Sequence, residues 1–183
     1  MAKDLIGALD LGSSKLKILI VRKKEKDLEL VEAIEKDSEG IKKGIVVDVG
    51  RVSRLIKFAL KEVKKIPPFF VNLSGAHLFS TFSQGAISIS RADQLISEED
   101  KERVLKSAET INLGLNKQVL CAIPQQFIVD GEKGIQEPVG LKGLRLETEA
   151  LILGGFSQYI ENVRRTIFYA DLEAKDLIPS PLA

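Results

Sequence analysis

The hydrophobic pattern at the start of the chain predicts strands joined by short turns. Leu5 to Asp10 is a short apolar run that ends in a carboxylate. Further on, Leu16, Ile18 and Ile20 alternate with Lys15, Lys17 and Leu19. A third alternating segment begins at Leu28, after a charged turn. Alternation with a period of two is typical of strands with one buried face. Because the connections are short, we expect these three strands to form an antiparallel meander.

After Asp48 the period changes to that of a helix. Apolar residues recur every three or four positions, which predicts one buried helical face, and Asp48 can cap the first turn. These apolar residues are Val52, Leu55, Ile56, Ala59, Leu60 and Val63. Pro67-Pro68 is predicted to end the helix, and the apolar run from Phe69 to Ser74 predicts a further strand.

The middle of the chain predicts a second group of strands around one helix. Strand patterns at 78–82 and 86–90 precede the sequence Ser97-Glu98-Glu99-Asp100. This sequence has the spacing of a capping box and predicts the start of a helix. Three more strands are predicted at 119–123, 127–130 and 144–152.

The last part of the chain predicts a helix and one short strand. Gly154-Gly155 is predicted to end the preceding strand, and Ser157 to cap the helix. Leu177-Ile178 predicts the short strand, and the sequence from Pro179 to Ala183 is typical of a linker.

Composition narrows the class of protein. The 183 residues are 44% hydrophobic and 29% charged, which favours a soluble folded protein over a disordered or membrane-spanning one. The net charge of +1 provides no overall attraction to nucleic acid or to an anionic bilayer. Cys121 is the only cysteine, so an intrachain disulfide is excluded, and the amino terminus lacks the apolar run of a signal peptide. We therefore expect a cytoplasmic protein.

The connection between the first two strands holds the residues best suited to chemistry. Gly12 allows close approach of the backbone, and Ser13 and Ser14 offer hydroxyl and amide donors. Lys15 adds a positive charge, so the segment suits the phosphate tail of a nucleotide. Asp10, at the end of a strand, suits Mg²⁺ held mostly through water. The same residue types also form ordinary hairpin turns, so both interpretations stay open.

Other candidate residues favour structural roles. His77 is the only histidine and lies near Ser74, but no acid is placed to orient it and the spacing matches no nucleophile motif. Cys121 lies in an apolar run, where a free cysteine behaves as a small core residue. The basic clusters at 22–24 and 61–65 have interleaved or adjacent acids, which favours solvated faces.

Several segments together resemble one protein family. Residues Ile6 to Lys15 resemble the first phosphate motif of the actin, Hsp70 and sugar-kinase superfamily, in which that loop clasps the phosphates of ATP. Three later segments, in this order, are similar to the amino-terminal half of the bacterial cell-division protein family FtsA. They are Val71 to His77, Val119 to Asp130 and Gly134 to Glu147.

The resemblance implies an α/β fold with two parts. Residues 1–82 and 154–183 would form a partial actin-like (ribonuclease-H-like) subdomain, called 1A in the family. Residues 83–153 would form an inserted subdomain, 1C, which is SHS2-like and has a strand-helix-strand-strand core. The predicted order of strands and helix in the middle of the chain agrees with that core.

The resemblance also implies a function in cell division. Members of the family bind ATP and Mg²⁺, self-associate into filaments, tether filaments of the tubulin-like protein FtsZ to the inner face of the membrane, and recruit later division proteins through 1C. By resemblance, Gly12, Ser13, Ser14 and Lys15 would hold ATP phosphates, and Asp10 would face Mg²⁺ through water. No nucleic-acid partner is implied.

Several family features have no counterpart in the chain. These are the second phosphate loop, the adenosine-binding glycine motif, the second lobe with its site for the FtsZ tail, and the carboxy-terminal amphipathic helix that reaches the membrane. We therefore expect a fragment that is not an enzyme by itself and that binds ATP very weakly or not at all. It would reach the membrane only through a tail that it does not carry.

Two alternatives remain from the same superfamily. A sugar-kinase-type phosphotransferase would need a substrate-facing acid as general base after Asp130, where the sequence instead resembles the division-protein insertion. An actin-like pilus-assembly protein shares the inserted subdomain and would differ in its partners. The segments Ile123 to Gln126 and Pro138 to Leu141 favour the division protein.

Overall fold

The computed structural model of the protein describes residues 4–25 and 27–182 and divides them into two units. In chain order the elements are β1 (Leu5–Leu11), β2 (Lys15–Lys23), β3 (Leu28–Asp37), β4 (Ile41–Lys42), β5 (Ile45–Val46), α1 (Val49–Ala59), β6 (Phe69–Leu73), β7 (Leu78–Ser88), α2 (Glu98–Glu109), β8 (Lys117–Val129), β9 (Glu132–Ile135), β10 (Arg145–Phe156), α3 (Ser157–Tyr169) and β11 (Ala174–Pro179), followed by a 3-10 turn at Ser180–Leu182. The first unit comprises the residues up to Leu78 and from Phe156 onward, and the second unit is Phe79–Gly155. The sequence placed this division at 83–153.

The first unit is built on a five-stranded sheet in the order β11-β6-β1-β2-β3. The predicted meander is confirmed, since β1 pairs antiparallel with β2 and β2 with β3. Strands β6 and β11 extend the sheet in parallel with β1. The carboxyl ends of β1, β6 and β11 therefore meet at one edge of the sheet.

One face of this sheet is buried and the other is open. Alternate residues of β1 and β2 such as Leu9, Ile18 and Ile20 are at most 1% exposed, whereas Leu19, between the last two, is 45% exposed. Helices α1 and α3 pack against each other and contribute the buried side chains Val52, Ile56, Ile160 and Val163. The apolar stripe predicted for α1 thus contributes to the core of the unit.

Helix α1 begins as predicted but ends earlier. The Asp48 carboxylate accepts a hydrogen bond from Arg51 N at 2.9 Å and caps the first turn. The helix ends at Ala59, so Val63 lies outside it. Two tight turns follow, because Lys61 N donates to Phe58 O and Val63 N to Leu60 O.

The second unit has a four-stranded sheet in the order β7-β10-β8-β9, with α2 packed against it. Val104 and Ala108 of α2 are fully buried and join sheet residues such as Phe127 and Ile152 in the core. The predicted capping box is confirmed, since the Ser97 side chain accepts from Asp100 N and the Asp100 carboxylate accepts from Ser97 N.

Two predicted interruptions of strands are wrong. Residues 78–82 and 86–90 were predicted as separate strands, but β7 runs through Gly85. A Cβ on Gly85 would lie 2.2 Å from Val104 O of α2, so this glycine allows the helix backbone to approach the strand. The predicted stop at Gly154-Gly155 lies inside β10, and a Cβ on Gly154 would lie 2.6 Å from the Phe79 ring.

The region between α2 and β10 also differs from the prediction. Residues 119–123 and 127–130 belong largely to one strand, β8, which continues through Pro124. A short strand that was not predicted, β9, pairs back on β8. Asp130 and Gly131 both have positive φ, 48° and 91°, and this conformation suits a two-residue hairpin turn.

Within the first unit, the residues on either side of the insertion are neighbours. Phe156 N donates to His77 O at 3.2 Å, so the residues just before and just after the insertion are joined by a hydrogen bond. Helix α3 follows directly, with Phe156 as its N-cap and no side-chain capping bond. The predicted capping role of Ser157 is therefore wrong, since Ser157 is the first residue of the helix.

Candidate phosphate-binding site

The predicted phosphate loop lies at the carboxyl end of β1. Leu11 and Leu16 form the last cross-strand pair of β1 and β2, and the connection between them is short. A Cβ on Gly12 would lie 2.6 Å from Lys15 O, so glycine is required for the tight connection itself. The hairpin interpretation therefore accounts for Gly12 without a ligand, and the exposed Ser13 and Ser14 remain accessible to one.

Ser13 is held by a second turn. Gly44 N donates to Ser13 Oγ at 2.8 Å, from the turn between β4 and β5. Gly44 has a φ of 75°, and a Cβ there would lie 2.8 Å from Gly75 N. Three connections, at 12–14, 43–44 and 74–75, thus lie together beside the carboxyl ends of β1 and β6.

Lys15 is paired with acids of the neighbouring strand. Its ammonium lies 2.9 Å from Asp37 Oδ1 and 3.3 Å from Glu35 Oε1. Hydrogen bonds from the ammonium to Asp37 and Glu35, together with their negative charge, raise the pKa of Lys15 above its ordinary value. A phosphate at this loop would have to compete with two carboxylates for the Lys15 charge.

Asp10 is held by residues that the sequence analysis did not identify. Asn72 Nδ2 donates to Asp10 Oδ1 at 2.8 Å, and Ser180 Oγ lies 2.8 Å from Asn72 Oδ1. These three residues come from the ends of β1 and β6 and from the turn after β11. A polar Asn72 within the apolar run Phe69–Leu73 was the available signal.

A concave pocket of about 480 Å³ opens beside Asp10 on the exposed face of the sheet. Asp10, Lys17 and Asn72 form its polar part. Its wall is otherwise apolar and includes Ala8, Leu9, Leu19, Phe70 and Ile178. Lys17 pairs with Asp10 across β1 and β2, and the two-residue period that places it on the same sheet face as Lys15 could have identified it.

The donor set suits Mg²⁺ only through a hydrated contact. Mg²⁺ prefers oxygen ligands and usually keeps several waters, which a single oriented carboxylate such as that of Asp10 can accept. Among residues 4–25 and 27–182, no group of three or more acidic, histidine or cysteine side chains is arranged to hold a metal ion. A nucleotide and its metal ion would therefore be bound by Asp10, the loop amides and the serine hydroxyls.

His77 is a packed residue in this region. It is 4% exposed, and its ring lies edge-on to Tyr159 with 5.4 Å between centroids. Neither ring nitrogen has a hydrogen-bond partner within the described part of the chain, which includes Ser74. Burial lowers the pKa of His77 below its ordinary value. His77 and Ser74 are therefore not hydrogen-bonded to each other.

The second unit contains a buried charged residue with a structural role. Asp100 is 2% exposed and bonds Ser97, Arg91 and Arg103, the last at 3.0 Å. Burial favours a higher pKa for Asp100, but the hydrogen bonds from Ser97 and from the Arg91 guanidinium outweigh it and hold the pKa below its ordinary value. This network secures the start of α2.

None of the helices that the structure describes is both long and apolar enough to cross a membrane.

Comparisons with known proteins identify relatives of both units. The family model described as "SHS2 domain inserted in FTSA" matches residues 75–153. The cell-division protein FtsA of Streptococcus pneumoniae is 33% identical over 180 residues, which cover 96% of this chain and 39% of that protein. FtsA of Borreliella burgdorferi is 31% identical and is matched over 100% of this chain and 46% of its own length. The chain thus spans less than half the length of these relatives.

A solved structure supports the fold. The chain resembles one in the "PilM-PilN type IV pilus biogenesis complex" with a TM-score of 0.64 and 17% identity, over 94% of this chain and 46% of that one. At this identity the likeness concerns the fold alone. The predicted α/β fold with an actin-like first part and an SHS2 insertion is confirmed, and so is the resemblance to the amino-terminal part of FtsA.

Proposed function

We propose that this chain, which is similar to FtsA cell-division proteins along nearly its whole length, acts in bacterial cell division as an actin-like scaffold and interaction module. The observation that carries the proposal is that the similarity covers both units in order, with the inserted-domain match on the second unit. Fold similarity to the pilus complex favours no separate pilus function, because it extends to the fold only.

The second unit is proposed to contact other proteins. Several large apolar side chains are exposed there, including Phe82 at 76%, Leu144 at 57% and Leu115 in full, as others are on the first unit. Singly exposed apolar residues are common on protein surfaces, so the match of this unit to the inserted domain of FtsA supports the proposal more than they do. The partners we propose are other division proteins and further copies of the same protein. Linkage of FtsZ filaments to the inner face of the membrane is proposed for a protein of the relatives' full length, and nucleic acid is not a proposed partner.

The loop at 12–15 is proposed to touch ATP phosphates, with Asp10 facing Mg²⁺ through water. Binding by this chain is proposed to be very weak and without hydrolysis. Each missing charge-assisted hydrogen bond removes about 1.5–3 kcal/mol of binding free energy. Here the Lys15 charge is already shared with Asp37 and Glu35, and a single carboxylate serves the metal.

A chimeric protein tests the proposed function. The matched segment of the Streptococcus pneumoniae protein would be replaced by this chain, and the chimera would be expressed in cells depleted of their own FtsA. We expect rings at midcell and restored division. A matched variant would replace 79–155 by a short Gly-Ser linker, which the neighbouring positions of His77 and Phe156 permit. We expect this variant to be expressed but to fail in recruiting later division proteins.

Two results would contradict the proposal. One is a stable, well-expressed chimera that never localises to the division site. The other is normal division by the variant without 79–155, which would remove the proposed role of the second unit while leaving the first unit's role intact.

A further inference from the structure

The hydrogen bonds at Asp10 continue across three strand ends. Asn72 Nδ2 donates to Asp10 Oδ1, and the Ser180 hydroxyl lies 2.8 Å from Asn72 Oδ1 and 3.0 Å from Leu73 O. In the parallel sheet, Ile178 of β11 is in register with Asn72 of β6. The turn after β11 is therefore tied to the end of β6, and the end of β6 is tied to β1.

The Asp10 carboxylate determines which way the Asn72 amide points. A carboxylate only accepts hydrogen bonds, so the NH₂ group faces Asp10 and Asn72 Oδ1 is left facing the Ser180 hydroxyl. The single hydroxyl hydrogen of Ser180 is shared between Asn72 Oδ1 and Leu73 O. The amide is half-buried, so replacing these hydrogen bonds by hydrogen bonds to water would be unfavourable in free energy.

We propose that Asn72 is a positioning residue for Asp10, holding the carboxylate in one rotamer with Oδ2 left for the water shell of a divalent cation. Ser180 contacts the oxygen end of the same amide and helps to hold the amide in place. The inference rests on the proposed phosphate site and adds to it a residue that the phosphate loop itself does not contain.

The chemistry of the amide suits this role better than a charged donor would. A lysine or arginine at position 72 would bond Asp10 equally well but would add a second positive charge, beside that of Lys17, next to the proposed cation. The Asn72 amide orders the carboxylate and leaves its negative charge in place. Lys17, across the strand pair, lines the same pocket and provides the nearby positive charge suited to a phosphate.

The test compares Asn72→Leu with Asn162→Leu in the whole chain by NMR. Asn162 is a matched control, because its Nδ2 also makes one hydrogen bond within the first unit, to Val46 O at 3.1 Å, and it does not contact Asp10. Three-bond couplings report the Asp10 χ1 rotamer without any ligand. Paramagnetic broadening by Mn²⁺ and ATP reports weak binding at the amides of Gly12 to Lys15.

We expect a single Asp10 rotamer in the wild type and in Asn162→Leu, and averaged rotamers in Asn72→Leu. Broadening at the loop should fall about three- to tenfold in Asn72→Leu, because a mobile Asp10 side chain must then be fixed on binding. It should be unchanged in Asn162→Leu even if that variant is equally destabilised. Ser180→Ala should lie between the two, and Asn72→Ser provides a second variant if Asn72→Leu does not fold.

Three outcomes overturn the inference. Asp10 couplings in Asn72→Leu that equal those of the wild type would show that Asn72 does not position Asp10. Equal loss of broadening in Asn162→Leu would show that Asn72 acts through general stability. An ordered Asp10 in a wild-type chain that shows no broadening at the loop would refute the phosphate site itself, and with it the cation-facing role of Asn72.

Discussion

Replacing Gly85 by alanine tests how α2 packs on the sheet of the second unit. A Cβ at this position would lie 2.2 Å from Val104 O, 2.6 Å from Ala108 N and 3.1 Å from the Ala108 Cβ. Two of these atoms belong to the helix backbone, which has no rotamer that could move away. The helix must therefore shift by about 1 Å to restore ordinary contact distances.

Such a shift is destabilising because side chains of α2 lie in the core of the second unit. Val104 and Ala108 are fully buried, and they pack with Phe127 and Ile152. Forcing one extra carbon into a well-packed core costs about 1–3 kcal/mol, and a rigid backbone neighbour places Gly85→Ala at the upper end of that range. For a unit of this size, we expect the Tm to fall by roughly 10–20 °C.

The measurement is urea or thermal unfolding, with hydrogen exchange of the α2 amides to assign the loss to the second unit. Gly50→Ala is the matched control, because the nearest atom to its added Cβ is 3.5 Å away and the residue lies in the first turn of α1. That variant should be neutral or more stable by up to about 1 kcal/mol. An unchanged Tm and unchanged α2 exchange in Gly85→Ala would refute the packing argument.

Three further predictions concern the first unit. Asp48→Ala removes the cap of α1 and should lower the free energy of unfolding by about 1 kcal/mol, measured in urea. Burial lowers the pKa of His77, so the unfolded chain binds a proton at a higher pH than the folded chain does. The contribution of neutral His77 to the free energy of unfolding should therefore be fully present above about pH 7. It should fall as the pH drops below about 6.5, by at most about 1.4 kcal/mol per pH unit. His77→Phe should remove that component, and an unaltered pH profile would contradict it. Calorimetry with Mg·ATP should show little or no binding by this chain, and a sub-micromolar Kd would exclude the proposed weakness of the site.

The sequence correctly predicted features that depend on residues close together in the chain. The caps at Asp48 and Ser97 each accept from an amide three residues further along the chain, so the sequence alone could predict their positions. Strand alternation likewise identified β1 and β2, because one face of each is buried. These predictions needed no knowledge of distant contacts.

Glycine was the source of the main errors, because a glycine has the same sequence signal in a turn and in a close contact. Gly85 and Gly154 lie inside strands, since the atoms that exclude a side chain there belong to α2 and to Phe79. Asp130-Gly131 does form a turn, as its positive φ angles require. Only the folded structure distinguishes these cases, because the crowding atoms are as far as 75 residues away in the chain.

The sequence predicted one part of the candidate site and missed another. The loop from Gly12 to Lys15 was recognised as one segment, and the structure places it at the carboxyl end of β1. Asn72 and Ser180 were missed because Asn72 reaches Asp10 only when β6 pairs with β1, and Ser180 reaches Asn72 only when β11 pairs with β6. The acids that bind Lys15 were missed for a similar reason, since they lie on the next strand.

The hydrogen bond between His77 O and Phe156 N has a consequence for the history and engineering of this architecture. A segment whose two ends are neighbours can be exchanged for a short turn without stretching the chain on either side. Loop-closure entropy rises only with the logarithm of length, so even an unfolded Phe79–Gly155 would cost only about 2–3 kcal/mol more to close than a turn of a few residues. The first unit can therefore carry different inserted units at this one position. Binding specificity can then change in the inserted unit while the sheet that holds Asp10 stays the same.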